Sequence, residues 1–192
     1  MKYLTHELKG TIGYVKKQTI FEIIKTVILF AMALGIFFIG YLTLGTKKSL
    51  WSVFAVLALL PASKSMVSSI MFLRFKSLDD KTKDALTSAV GSLPVLFENI
   101  ITTSEKSYFL PAIVYIKGNF CSYLDGDASS VSKVSKHISS VLLNGGHKDI
   151  NVKIYNNRDD FAERCNELKG KFGEDAYKGS AAVFNTIKAV SL

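Results

Sequence analysis

The run TVILFAMALGIFFIGYLTLGT, residues 26–46, holds 21 residues without a charged side chain. At a rise of about 1.5 Å per residue it reaches across a hydrocarbon layer about 30 Å thick, so it is predicted to be a transmembrane helix. A buried helix of a soluble protein is usually shorter and polar on one side. A cleavable signal peptide does not fit, because the charged lead and the apolar run are both too long and no A-x-A-like site follows. The tight polar turn Gly45-Thr46-Lys47-Lys48-Ser49 leads to a second apolar run, residues 49–73, that contains Pro61 and Lys64. Its uncharged part, residues 49–63, covers about 22 Å of helix, and continuation to Leu73 gives enough length to span with tilt. Trp51 stands where an interfacial aromatic belongs. The expected architecture is a membrane hairpin with both ends on one side.

Charge supports that reading once it is divided along the chain. The 192 residues are 48% hydrophobic and carry a formal net charge of +8, with a mean hydropathy of +0.25. A chain both basic and apolar is a membrane protein or a nucleic-acid binder with a very apolar core. Seven of the eight excess charges lie in the first 84 residues, around the apolar runs, and the remainder carries only +1. Nucleic-acid binding needs its basic residues clustered on a folded face, so it is not expected. Lys16, Lys17 and Lys25 flank the first span, Arg74, Lys76, Lys81 and Lys83 the second, against two lysines in the turn. The positive-inside rule then places both termini in the cytosol of a two-pass cell-membrane protein, expected to be bacterial. Cys121 and Cys165 would be free thiols there, whereas an inverted topology would let them pair.

Residues 1–25 place Leu4, Leu8, Ile12 and Val15 at helical spacing with lysines between them, an amphipathic helix suited to an anionic leaflet. Gly10 and Gly13 weaken it, and a lead-in that packs on a partner or is poorly ordered is the competing reading.

Lys64 is the most consequential residue inside the spans. Ten positions before Arg74, it lies about 15 Å along a straight helix from the basic end, near mid-membrane. An unpaired charge there implies a polar path or snorkelling toward the headgroups, and snorkelling or a water-filled cavity is the favoured expectation. Ser63, Ser65, Ser68 and Ser69 surround it, and Ala31 with Gly35 forms a small-xxx-small pair in the first span. Both sets are expected to pack helices, within the hairpin or between copies.

Residues 77–192 are long enough for one core. The pattern predicts a helix over 79–93 and strands over 95–102, 109–117 and 120–124. Pro111 falls at the start of the second strand, and a Gly118-Asn119 turn separates the second from the third. A helix to Leu143, a strand over 150–155, a helix over 157–171 and a last helix over 174–190 follow. The expected fold is thus a two-helix membrane hairpin plus a cytosolic α/β (α+β) domain with a mixed sheet, in the order αβββαβαα. By element order alone it is similar to the core of the restriction-endonuclease-like nucleases, which implies acidic metal ligands on the central hairpin. Residues 112–115 and 120–123 supply none, so no hydrolytic site is implied there.

Other chemistry is sparse. Asp125 and Asp127 form a weak candidate cation or ligand site, more simply a turn before a helix cap. Cys121, His137, His147 and Cys165 lack zinc-site spacing. No catalytic residue, metal or cofactor is expected. The partners expected are the lipid bilayer, further copies of the chain, and a cytosolic protein or small ligand. The expected function is a non-catalytic, self-associating membrane protein with a cytosolic interaction, assembly or ligand-sensing domain. A pore or membrane-perturbing effector lined by Lys64 and the serines is the alternative, and a membrane-tethered hydrolase using Asp125 and Asp127 the third.

Overall fold

A computed structural model describes residues 9–44, 50–124, 128–172 and 179–192. The chain divides into two compact units. Residues 15–76 form one, and residues 1–14 with 77–192 form the other.

The first unit consists of α1 (Tyr14–Leu44) and α2 (Leu50–Leu73). Both are long and apolar enough to cross a membrane, and only 11% and 22% of their apolar stretches are buried. A core helix of a soluble protein would be mostly covered. Thr26 of α1 is hydrogen-bonded to Ser65 of α2. The five residues between Leu44 and Leu50 can bridge only about 20 Å, so the two helices run antiparallel. Pro61 lies within α2, where the helix continues past it. Helix α1 starts twelve residues before the uncharged run, so the chain from Tyr14 onward belongs to the same helix as the apolar stretch. The separate surface helix expected over residues 1–25 is not what residues 9–25 form. Residues 9–13 are turns, and Gly10 and Gly13 have φ of 87° and 81°. Those left-handed values end the helical pattern where glycine permits it. Residues 1–8 and the 45–49 turn lie outside the described residues.

The second unit carries α3 (Asp80–Val90), β1 (Val95–Thr102), β2 (Ser107–Ile116), β3 (Asn119–Tyr123), α4 (Ala128–Asn144), β4 (Asn151–Tyr155), α5 (Arg158–Lys171) and α6 (Ser180–Val190). The sheet order is β1-β2-β3-β4, with β3 and β4 parallel and the other pairs antiparallel. Helices cover both faces. Leu110, Ile113 and Phe120 meet Val134, Ile138 and Leu142 of α4 and Val183, Phe184 and Ile187 of α6. Ala112, Val114, Ile116 and Cys121 meet Leu86 and Val90 of α3 and Phe161, Cys165 and Leu168 of α5. This explains the unbroken apolar stretch of β2, since a central strand buried on both faces needs no alternation.

Two local readings are corrected. The β2–β3 turn is Lys117-Gly118, one residue earlier than expected. Asn119 pairs with Ile116, and both turn residues have positive φ, 40° and 79°, as a type I′ turn requires. Strand β2 starts at Ser107, so Pro111 lies inside it. Across the sheet Phe97 pairs with Ala112 and Asn99 with Leu110, but the pair between them, Glu98 opposite Pro111, is missing. Proline has no N–H to contribute to a ladder. Glu98 takes φ of 50° at this break, although no residue is inserted in either strand.

Candidate functional site

Polar chemistry in the helix pair gathers on one face. Thr26 Oγ1 lies 2.9 Å from Ser65 Oγ, 2.9 Å from Ser69 Oγ and 2.7 Å from the carbonyl of Glu22. Ser69 Oγ donates to the Ser65 carbonyl at 3.0 Å. One turn before Thr26, Glu22 is 6% exposed. Its Oε1 accepts from Gln18 at 3.4 Å, and its Oε2 lies 2.5 Å from Lys25 Nζ. That last contact is an ion pair without hydrogen-bond directionality. A buried carboxylate without a neighbouring cation would cost several kcal/mol, so Lys25 is what permits Glu22 there.

This cluster divides the residues singled out from the sequence. Ser65 and Ser69 are buried on the Thr26 face. Lys64 and Ser63 are exposed and Ser68 half-buried, with Ser63 Oγ donating to Leu59 O and Ser68 Oγ to Lys64 O. Lys64 and the four serines therefore do not line one path within the pair. The bonds also set the register. Thr26 stands level with the middle of the 65–69 turn, so Lys64 is about 4.5 Å further along and level with Leu29's neighbourhood near the start of the uncharged run. Ala31 is exposed and Gly35 half-buried, and a Cβ built on Gly35 would meet nothing within 4 Å. Lys16, Lys17, Arg74 and Lys76 are exposed and Lys25 is half-buried.

Sequence reasoning missed Thr26 and Glu22. A signal was present. Thr26, Ala33 and Gly40 recur every seven residues, as do Ala55, Ala62 and Ser69, and all of these but the half-buried Thr26 are buried. A seven-residue repeat of small residues marks a closely packed antiparallel seam, whereas the four-residue pair Ala31–Gly35 does not lie on it.

In the α/β unit a polar cavity of about 350 Å³ is lined by Thr82, Tyr123, Asn156, Asn157, Arg158 and Asp159. It sits at the carboxyl ends of the parallel pair, where Tyr123 of β3 is opposite Tyr155 of β4. Open α/β sheets bind ligands at such strand ends. Asn157 caps α5, accepting from Asp159 N–H at 3.1 Å, and its amide donates to Asp160 Oδ1 at 3.3 Å. The lining of the cavity is polar, with the Arg158 side chain among hydroxyl, amide and carboxylate groups. Asp125 and Asp127 follow directly from this strand end, but they lie outside the described residues.

The thiols are placed for packing. Cys121 and Cys165 are free and buried in one cluster between β3 and α5. Burial pushes the Cys165 thiol up to about 12, with the neighbouring Cys121 adding to it. Burial also raises Cys121, against a hydrogen bond from Arg164 that opposes the shift. Neither forms the reactive thiolate at neutral pH. His147 is engaged with Thr186 at 2.9 Å. Among the described residues no three His, Cys, Asp or Glu side chains are grouped to hold a metal ion. No known protein family, curated protein or solved structure matches this chain.

Proposed function

We propose that this chain is a self-associating integral membrane protein, anchored by α1 and α2, whose cytosolic α/β unit is a non-catalytic interaction or ligand-sensing module. The observation that carries the reading is the surface of the helix pair. Val27, Ile28, Met32, Phe38, Leu42, Val53, Phe54, Val56 and Leu60 are each more than half exposed. Contiguous apolar surface on that scale is stable in lipid and not in water. The polar groups of the pair support it, because Thr26, Ser65 and Ser69 satisfy one another and Glu22 has Lys25. Lys64, one turn inside the uncharged run, can reach the headgroups by extending its side chain.

Self-association rests on the outer face, where Ala31 and Gly35 leave room for a second helix to approach closely. The cavity at the β3–β4 strand ends supports a ligand-sensing role for the α/β unit. A pore lined by Lys64 and all four serines draws less support, since two of those serines are bonded into the seam and Lys64 faces away from it.

The test is the mass of the particle in lipid nanodiscs, with the scaffold and lipid contributions subtracted. The proposal expects a multiple of 21.2 kDa. A single copy at all protein-to-lipid ratios, unchanged by Gly35→Leu, would refute self-association.

A further inference from the structure

We propose that the ladder break at Glu98 is a shared latch. It holds the chain segments on both sides of the two long helices, so that releasing one segment loosens the other. The inference stands independently of the membrane reading.

The latch is assembled from three remote stretches of sequence. On the N-terminal side, Phe97 N–H donates to the Gly10 carbonyl at 2.8 Å. Lys9 Nζ donates to the carbonyls of Lys188 and Ser191 at 3.2 and 2.8 Å, closing the end of α6. Burial holds the Lys9 ammonium below its ordinary pKa, so these carbonyls are what keep its charge satisfied. On the other side, Leu78 N–H donates to Glu98 Oε1 at 3.1 Å, and Ser77 Oγ donates to the same oxygen. The outer edge of β1 is completed by Leu192 N–H on the Ile100 carbonyl at 2.9 Å.

Three features make this a latch and not ordinary edge packing. Glu98 is 1% exposed, so its carboxylate depends on the donors it finds there. It is also a non-glycine residue at φ of 50°, a conformation that persists only where neighbours over-determine it. Finally, the two neighbours are consecutive, since Phe97 carries the N-terminal segment and Glu98 the segment that follows α2. Relaxing Glu98 toward extended geometry moves its carboxylate off Ser77 and Leu78 and displaces the adjoining Phe97, whose N–H, in the preceding peptide unit, is bonded to Gly10. Both segments then lose their partners together. Gly10 fits this picture, because a Cβ there would stand 2.5 Å from Leu96 Cδ2 at a φ of 87°.

The experiment is amide-resolved hydrogen exchange on the full chain in detergent micelles, with Ser77→Ala and Gly10→Ala as separate variants. Ser77→Ala removes one donor on one side, and Phe97 N–H, bonded to the other side, is expected to exchange several-fold faster. Gly10→Ala is expected to speed exchange at Leu78 N–H by about tenfold, the scale of a lost charge-assisted hydrogen bond. Val114 and Cys121 in the central strands should keep their protection in both variants. If each substitution affects only its own segment, the latch is not shared and the proposal fails. Equal loss at Val114 and Cys121 also overturns it, because the segments would then be part of the global core.

Discussion

Thr26 Oγ1 and Ser65 Oγ are hydrogen-bonded at 2.9 Å across two helices, 39 positions apart in the chain. This contact, with its Ser69 counterpart, sets the register of α1 against α2. Thr26→Val keeps the shape and removes the hydroxyl. It is expected to weaken the association of the helices by about 1 kcal/mol, whereas Thr26→Ser should be close to neutral. Steric-trap unfolding in bicelles measures the difference, and equal stability of the Val and Ser variants would show that the hydroxyl is not what holds the register.

Register also decides the depth of Lys64. A nitroxide attached at Lys64→Cys should resemble one at Lys25→Cys in its accessibility to a water-soluble relaxation agent. It should differ from one at Phe54→Cys, eleven positions from Ser65 toward the other end of α2. A Lys64 signal matching Phe54 would place the lysine deep in the layer and restore the polar-path reading.

The native cysteines should not interfere with such labelling. With Cys165 raised to about 12 and Cys121 raised by burial, neither should react with a maleimide at pH 7 in the folded chain, and both should react in denaturant. The linkage has a definite sign. Between the ordinary thiol pKa of about 9 and the folded value of Cys165, the unfolded chain loses a proton that the folded chain keeps. The stability these buried thiols contribute is therefore complete below about pH 9 and falls as pH rises toward 12. Chemical denaturation of the full chain at pH 7 and pH 10 reads this, and Cys165→Ala should flatten the decline.

Phe161 is fully buried, and its ring centroid lies 6.4 Å from that of Tyr123, a residue lining the strand-end cavity. Phe161→Ala is expected to destabilise the α/β unit by about 3–5 kcal/mol, the range for losing a large core aromatic. Thermal melting followed by near-ultraviolet dichroism tests this. A loss below 1 kcal/mol would mean that α5 is not seated on the sheet as described.

Much of this architecture was legible because its signals are local. The strand predicted over 95–102 is β1 residue for residue, and the helix predicted over 157–171 is α5 with Asn157 as its cap. The errors lie where a remote partner decides the outcome. Pro111 read as a strand start because a single strand does not reveal that Glu98 will stand opposite it. Gly10 read as a helix weakener because its actual role, accepting from Phe97, joins segments 87 positions apart. The small residues at 26, 33 and 40 were visible, but a four-residue search passes over a seven-residue seam.

The central claim is that α1 and α2 cross a membrane and place the α/β unit on one side. Single cysteines at Lys47, in the connection between the helices, and at Lys136, on α4, test it directly in sealed spheroplasts with a membrane-impermeant maleimide. The account predicts that Lys47→Cys is labelled from outside and that Lys136→Cys is labelled only after lysis. Labelling of both from outside, labelling of neither, or release of the intact chain by alkaline carbonate would contradict it.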